Sequence, residues 1–515
     1  MSKVVIILFL LSTLFFTFNI QGQDFSLDEP DTISIAASLK RSFIPEAWDG
    51  KNFSPIEPHI FTVRGNHYVW SWHPWFQHYI AYIGILLFGR TSPLVRIPFA
   101  LFGSATVAMV YLVGMKIFNN KLTSILIATH LMLLLPFFLY MRQVRYYSIG
   151  AFLSLCVFLL ALELIKSSKM SKKYIFITAL TLLLLFLTNY IVWMSSVFLL
   201  GLVTLYKRKP KVIIPILFSI LFALIWYYLL KPFQGNFAYH RINLQQIYQS
   251  LLTYKYYIAE YIFPLILILP LITIFNRYRK FVCLIIVWIV VKILIYSIFL
   301  IPHGRYIVDI FPILVLLIGF IYDYMIKKRK AYLAILLLIL ITSSNFTHNV
   351  PSLISNRRSV VLRNWISAYR YEFTIKKPFI MPQIAEYLKK DYKPGDLFWS
   401  NEYKLHIYNH AGIPHLSAIC DISKNKLIGP DEVIDIRKVK WFIFFQDDTL
   451  FPKTLETLCG GTAWQKYLVK NYKPNMLSFK KGTVKLNDPD IVRRQFPPYE
   501  VDSRSIVIYK KKIDF

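Results

Sequence analysis

From residue 97 to residue 346 the chain is a succession of apolar stretches, each nearly long enough to cross a bilayer, with short basic clusters between them. A hydrocarbon layer of about 30 Å takes about 20 residues of helix. Read with that length, the spans fall at 97–117, 122–140, 147–165, 174–188, 190–206, 211–230, 256–275, 281–300, 306–326 and 331–346. Val4–Ile20 adds one more, giving about eleven. Composition agrees. Of 515 residues, 56% are hydrophobic and only 17% charged, and the mean hydropathy is +0.47. A soluble chain would carry about a quarter charged residues. With 18 Gly, 4 Cys and 17% aromatics, disordered, collagen-like and disulfide-scaffold classes are excluded.

The net charge of +31 could suggest nucleic acid. Its distribution excludes that partner, because the basic residues sit in clusters between apolar runs, as the positive-inside rule requires. The acids are scarcer. Seven lie between Asp24 and Glu57, and from Pro58 to Thr347 only Glu163, Glu260, Asp309 and Asp323 remain.

The basic clusters also set the topology. The run 76–88 is apolar but only about 13 residues long. Counting it as a crossing would put Lys166–Lys173, Lys207–Lys211, Arg277–Lys280 and Lys327–Lys330 outside. Placing it at the outer interface puts all four in the cytoplasm. Val4–Ile20 reads as an uncleaved first helix, with a signal peptide ending near Gly22 as the alternative. The expected fold is therefore an α-helical polytopic membrane protein in the cytoplasmic (inner) membrane. Its outer face would gather the loop 21–96, Met141–Tyr147, the loop 231–255 and Pro302–Tyr306.

Two domains are expected: 1–346, and an extracytoplasmic α/β domain over 347–515. In the tail, Ile384–Tyr392 reads as a helix and Lys393–Asp396 as a turn. Leu397–Ser400, Trp441–Phe445 and Ser505–Tyr509 read as strands. Cys420 and Cys459 are candidates for a disulfide, whereas Cys156 and Cys283 fall within spans and read as core residues. Asn345-Phe346-Thr347 is a glycosylation sequon, meaningful only in a host with that machinery.

Four motifs on the outer face carry chemistry. Asp28 and Glu29 form an acidic pair just after the first helix. Such a pair can supply a general base, recruit a divalent cation, or cap a helix. Arg142 and Arg145 stand among Tyr140, Tyr146 and Tyr147 at a span's outer end, where basic residues are normally depleted. Arginine forks match phosphate oxygens. His303 and Arg305 form a second basic site, followed by Asp309 as a candidate ion-pair partner for Arg305. Finally, Tyr68, Trp70, Trp72, His73 and Trp75 make an aromatic segment able to stack on a sugar or sit at the lipid interface. Its histidine spacing matches no metal motif. The set suits a substrate with an anionic head and a lipid tail, such as a polyprenyl phosphate sugar.

These pieces, in this order, resemble the GT-C glycosyltransferases, specifically the family 39-like group that includes protein O-mannosyltransferases and lipid A aminoarabinose transferases. The matching residues are Asp28-Glu29, His73-Pro74-Trp75 through Phe88-Gly89 to Arg96, Arg142–Ser148, Arg305-Tyr306-Ile307 with Pro312, and Pro394-Gly395-Asp396. The resemblance implies an inverting transfer of one sugar from an undecaprenyl- or dolichyl-phosphate donor. The acceptor hydroxyl would belong to a glycolipid, polysaccharide or protein. It implies Asp28 as base, Glu29 as its assistant, and Arg145 and Arg305, with Arg142 and His303, on the phosphate. Trp72, His73, Tyr146 and Tyr147 would contact substrate. No cofactor is required, although Asp28 and Glu29 could recruit a divalent cation. Some members carry a metal-binding acid after the second-loop arginine; here the stretch is Tyr146-Tyr147-Ser148. The WWDxG signature of oligosaccharyltransferases does not occur. Alternatives are a secondary transporter, which would show midplane charges or inverted repeats, and a polysaccharide polymerase or O-antigen ligase.

Overall fold

The computed structural model describes residues 2–22, 25, 29–53, 61–166, 171–230, 243–299, 302–354, 364–374, 380–400, 415–416, 419–421, 426–428, 439–445, 470–477 and 506–512. Asp28 and Cys459 lie outside these residues, and the side chain of Cys420 is not among those described.

The chain folds mostly as helices. These are α1 (Ser2–Thr17), α2 (Glu29–Ser38), α3 (Phe76–Phe88), α4 (Ile97–Phe118), α5 (Lys121–Met132), α6 (Leu135–Met141), α7 (Tyr147–Lys166), α8 (Lys172–Phe186), α9 (Tyr190–Tyr206), α10 (Ile213–Leu230), α11 (Leu244–Tyr257), α12 (Ile268–Phe299), α13 (Phe311–Lys327), α14 (Ala331–Ser343), α15 (Phe346–Ile354), α16 (Trp365–Thr374) and α17 (Ile380–Lys390). Asparagines punctuate the apolar runs. Asn120 accepts from the Leu122 and Thr123 amides to start α5, and Asn189 accepts from Ile191 and Val192 to start α9. A side-chain acceptor there satisfies amides the new helix leaves open. The slender break at Thr188-Asn189-Tyr190 thus ends one helix and begins another.

Among the described residues, six helices are long and apolar enough to cross a membrane, or seven if the bent pair α5–α6 counts as one span. The sequence reading of about eleven is higher because several runs are interrupted. Residues 122–140 break at Leu133-Leu134, with Pro136 in the first turn of α6, and the two pieces meet at 66°. α9 and α14 remain apolar but shorter, at 17 and 13 residues. α12 is two helices meeting at Tyr278, which is non-helical, between the expected spans 256–275 and 281–300. α13 is the centre of the bundle, buried from Phe311 to Asp323. Tyr278 lies against Asp323 and Lys327 at the end of α13. Tyr296, on the second half of α12, reaches Asp309 just before α13 begins. That half of α12 therefore runs antiparallel to α13.

The loop after α2 carries a hairpin of β1 (Phe61–Arg64) and β2 (His67–Trp70), turned at Gly65, whose φ of 58° is left-handed. Glycine reaches that conformation without a Cβ clash. α3 then packs beside α4, and Gly84 lets it close on Val95; a Cβ there would meet the Val95 carbonyl at 2.8 Å.

The helical body extends past the expected boundary at 346/347. Trp365 and Ala368 of α16 belong to its core. Tyr369 donates to the Leu133 carbonyl at 2.6 Å, and Phe373 packs edge-on against Phe15, Phe18 and Phe138. Asn345 is fully buried, so the sequon is no surface acceptor. Cys283, expected in the core, is exposed on the bundle surface.

The tail forms α17 and a mixed five-stranded sheet. Its strands are β3 (Leu397–Ser400), β4 (His415–Leu416), β7 (Val439–Phe445), β8 (Tyr472–Leu477) and β9 (Ile506–Lys511), in the order β4-β3-β7-β9-β8. β3 is parallel to both neighbours; β9 is antiparallel to both. A separate ribbon pairs β5 (Ile419–Asp421) with β6 (Lys426–Ile428). Gly395, at φ 93°, makes the expected turn into β3.

Candidate active site at one end of the bundle

Glu29, the first residue of α2, is fully buried. Its carboxylate accepts from Arg96 Nε at 2.7 Å and Nη2 at 2.5 Å, and from the Val144 amide at 2.8 Å. Arg96 ends the turn that opens α4, and Val144 lies in the loop between α6 and α7. One carboxylate therefore ties together three segments far apart in sequence. An acid held by a bidentate guanidinium and an amide has few lone pairs left for other work. Glu29, expected as an assistant to catalysis, is placed as the anchor of the α6–α7 loop.

That loop carries the two expected arginines to different surroundings. Arg142 is 2% exposed. It pairs with Glu372 of α16 at 3.2 Å, donates to the Phe18 carbonyl at 2.9 Å and covers the Phe138 ring at 4.7 Å. Its fork joins α1, α6 and α16, so these contacts occupy the arginine expected beside Arg145 at the phosphate. The sequence could not show this, because Glu372 lies 230 residues away. Arg145, three residues on, points the other way. Its Nη1 donates to Thr32 Oγ1 at 3.1 Å. Thr32 is one turn after Glu29 on α2, so the i, i+3 face of this helix meets the loop twice. Gln77, in the first turn of α3, accepts from the Tyr146 amide at 3.2 Å.

His73 sits where these pieces converge. It stacks on Trp70 at 6.3 Å, meets Trp72 edge-on at 5.8 Å, and faces Tyr146 at 6.1 Å. Tyr146 packs on Tyr147, and Tyr147 on Tyr140. Burial, then the charges of Arg145 and Arg305 with His78 between them in effect, push the His73 pKa well below its ordinary value. The ring is neutral at neutral pH. Arg145 and Arg305 come from segments 160 residues apart.

Arg305 is the second residue of a seven-residue 3-10 helix, Gly304–Ile310. Its guanidinium lies 5.2 Å from the Tyr306 ring centre, and His303 packs on the same ring at 5.7 Å. Asp309 does not pair with Arg305. A 3-10 helix turns 120° per residue, so positions i and i+4 point about 120° apart rather than stacking. Asp309 turns into the bundle and meets Lys292 instead.

Beside Arg305 an apolar cleft is lined by Pro136, Tyr140, Tyr257, Tyr261, Gly304 and Ile307. A Cβ at position 304 would meet the Tyr257 ring at 2.9 Å and the Tyr140 hydroxyl at 3.3 Å. Gly304→Val is expected to displace Tyr257 and the 3-10 helix, costing about 1–3 kcal/mol of stability. A thermal melt of the purified variant checks this; an unchanged Tm would mean the cleft is looser than drawn.

Three more residues join the site without a sequence signal. Tyr254 of α11 is fully buried near Tyr146, Tyr257 and Tyr306, and its hydroxyl has no hydrogen-bond partner among the described residues. Thr32 and Gln77 look like ordinary helix residues until the loop folds onto them. Lys292 did carry a signal, as the one charge in the run 281–300. Among the described residues no group of three His, Cys, Asp or Glu could hold a metal ion.

Compared by sequence, neither a family model nor a curated protein matches the chain. The fold does have counterparts among solved structures. It is similar to ArnT from Cupriavidus metallidurans in the apo state, with TM-score 0.57 and 13% identity over 98% of each chain. ArnT from the same organism bound to undecaprenyl phosphate gives TM-score 0.57 and 14% identity, over 99% of this chain and 98% of that one. The apo oligosaccharyltransferase of Archaeoglobus fulgidus gives TM-score 0.51 and 11% identity, over 92% of this chain and 73% of that one.

Proposed function

We propose that the chain is an inverting glycosyltransferase that moves a single sugar from a polyprenyl phosphate to an acceptor hydroxyl. The observation that carries this reading is an aromatic cluster flanked by arginines: Arg145 lies 6.0 Å from the Tyr146 ring, which faces His73 at 6.1 Å, and Arg305 lies 5.2 Å from the Tyr306 ring beside an apolar cleft. Two guanidinium groups suit a phosphodiester, and the aromatic rings suit a sugar face. Full-length similarity to an ArnT structure that holds undecaprenyl phosphate supports the same donor class.

In the proposed reaction Asp28 takes the proton from the acceptor hydroxyl. The oxygen attacks the anomeric carbon from the side opposite the phosphate. The carbon–oxygen bond to the phosphate breaks as the new one forms, so the configuration inverts. The departing polyprenyl phosphate takes the bonding electrons, and Arg145 and Arg305 stabilise the charge that develops on it. Glu29 acts indirectly, through the Val144 amide that sets the loop bearing Arg145. The reading asks for no cofactor; a divalent cation at Asp28 is a variant of it. The charge rule puts this end of the bundle outside the cytoplasmic membrane, with the C-terminal sheet there to help select a glycolipid, polysaccharide or protein acceptor.

The test is mass spectrometry of lipids and surface glycans from cells with the gene, without it, and with Asp28→Asn. The expected result is one glycan lacking a single sugar in both defective strains, with a polyprenyl phosphate sugar accumulating. Identical profiles in all three strains, with the protein expressed, would overturn the reading and make transport of labelled solutes the next assay.

A further inference from the structure

Lys292 is fully buried inside the helical body, and Asp309 is 4% exposed. Burying two charges sacrifices their hydration, and an apolar pair would often be as stable. This pair is also heavily supported. The Asp309 carboxylate accepts from Lys292 Nζ, from the Tyr296 hydroxyl at 2.9 Å and from Ser154 Oγ at 3.1 Å. Lys292 Nζ also reaches Ser154 Oγ at 3.0 Å and Ser196 Oγ at 3.4 Å. Two helices, α7 and α12, therefore converge on one carboxylate, and α9 joins them through Ser196 at Lys292. That carboxylate belongs to the short 3-10 helix that begins with Gly304 and Arg305.

We infer that the Lys292–Asp309 pair is a positioning device that sets Arg305 against the phosphate of the lipid-linked donor. A 3-10 helix rises about 2 Å per residue, which puts Arg305 about 8 Å along the axis from its anchor. The helix is held at both ends. Asp309 is clamped in the bundle, and Gly304 is pressed against Tyr257 and Tyr140. A non-directional apolar contact at position 309 would let the helix slide or rotate, whereas a carboxylate with three donors fixes both. Arg305 is thereby held ready before substrate arrives, which reduces the ordering cost of binding. The inference rests on the donor class proposed above.

The test uses the full-length protein in nanodiscs, with undecaprenyl phosphate as the probe. Lys292→Met with Asp309→Asn removes both charges and keeps an acceptor for Tyr296. The double variant is expected to melt at or above the wild-type temperature, yet bind the probe with a Kd raised about tenfold. Adding Arg305→Ala to it should cost almost nothing further, although Arg305→Ala alone weakens binding. That non-additivity is what a merely structural pair would not produce. Tyr296→Phe removes one donor from Asp309 and the 3.4 Å acceptor it offers Lys292 Nζ, keeps both charges, and should raise the Kd severalfold even if the double variant folds poorly. Wild-type Kd in Tyr296→Phe and in a folded double variant would overturn the inference and leave the proposed donor intact. So would losses that simply add to that of Arg305→Ala. Failure of the wild-type protein to bind undecaprenyl phosphate would overturn both.

Discussion

Asp28→Asn is expected to lower turnover by about a hundred- to ten-thousandfold, the usual contribution of a positioned general base. Asparagine has nearly the shape of aspartate but cannot take a proton from the acceptor hydroxyl. Donor affinity should be unchanged, because the phosphate is assigned to Arg145 and Arg305. Arg145→Ala should show the opposite pattern. It removes one charged partner of a buried anion and should weaken undecaprenyl phosphate binding by about 2–5 kcal/mol. Measuring binding and turnover separately on each variant distinguishes the roles. Wild-type turnover in Asp28→Asn would remove Asp28 from the chemistry, whatever Arg145→Ala does. The adjacent acid sharpens the assignment: Glu29 is committed to Arg96 and the Val144 amide, so of the acidic pair only Asp28 is assigned to the proton.

Glu29→Ala is expected to act on stability instead. Removing the carboxylate leaves the Arg96 guanidinium, 3% exposed, without its bidentate partner, and the Val144 amide without an acceptor. Breaking a buried pair from one side costs about 3–5 kcal/mol. That is a large share of the about 5–15 kcal/mol by which a folded domain is stable. A thermal melt should show it as a loss of many degrees or of folded protein. Glu29→Ala combined with Arg96→Met should recover most of the stability, since no buried charge is left alone. A Glu29→Ala protein with an unchanged melt and no turnover would instead restore the catalytic role that the sequence suggested for Glu29.

These two neighbours show where sequence reading stops. Asp28-Glu29 stands out as an acidic pair, and residue types alone assign both to one task. The difference arises from partners 67 and 115 residues away, Arg96 and Val144, whose arrival depends on how α2, α4 and α6 pack. The same holds for Arg142 and Arg145. They share a motif, but one end of it meets Glu372 and the other meets Thr32. Asp309 misled for a local reason: its spacing from Arg305 suits an α-helix, and the segment is a 3-10 helix. The hydropathy reading takes 122–140 as one straight span, because it averages over Leu133-Leu134 and does not register the 66° bend there.

By itself the sequence determined that this is a polytopic helical membrane protein with a small α/β tail. It also led to the expectation that acidic, basic and aromatic motifs from distant loops share one face. Those features depend on hydropathy, charge distribution and order, which are properties of the chain read in one dimension. Only the tertiary structure decided which charges neutralise each other and which remain at the site. Ion pairing falls off with distance in space and is indifferent to distance in sequence, so Lys292 with Asp309, Arg142 with Glu372 and Arg96 with Glu29 became visible only once the helices were packed.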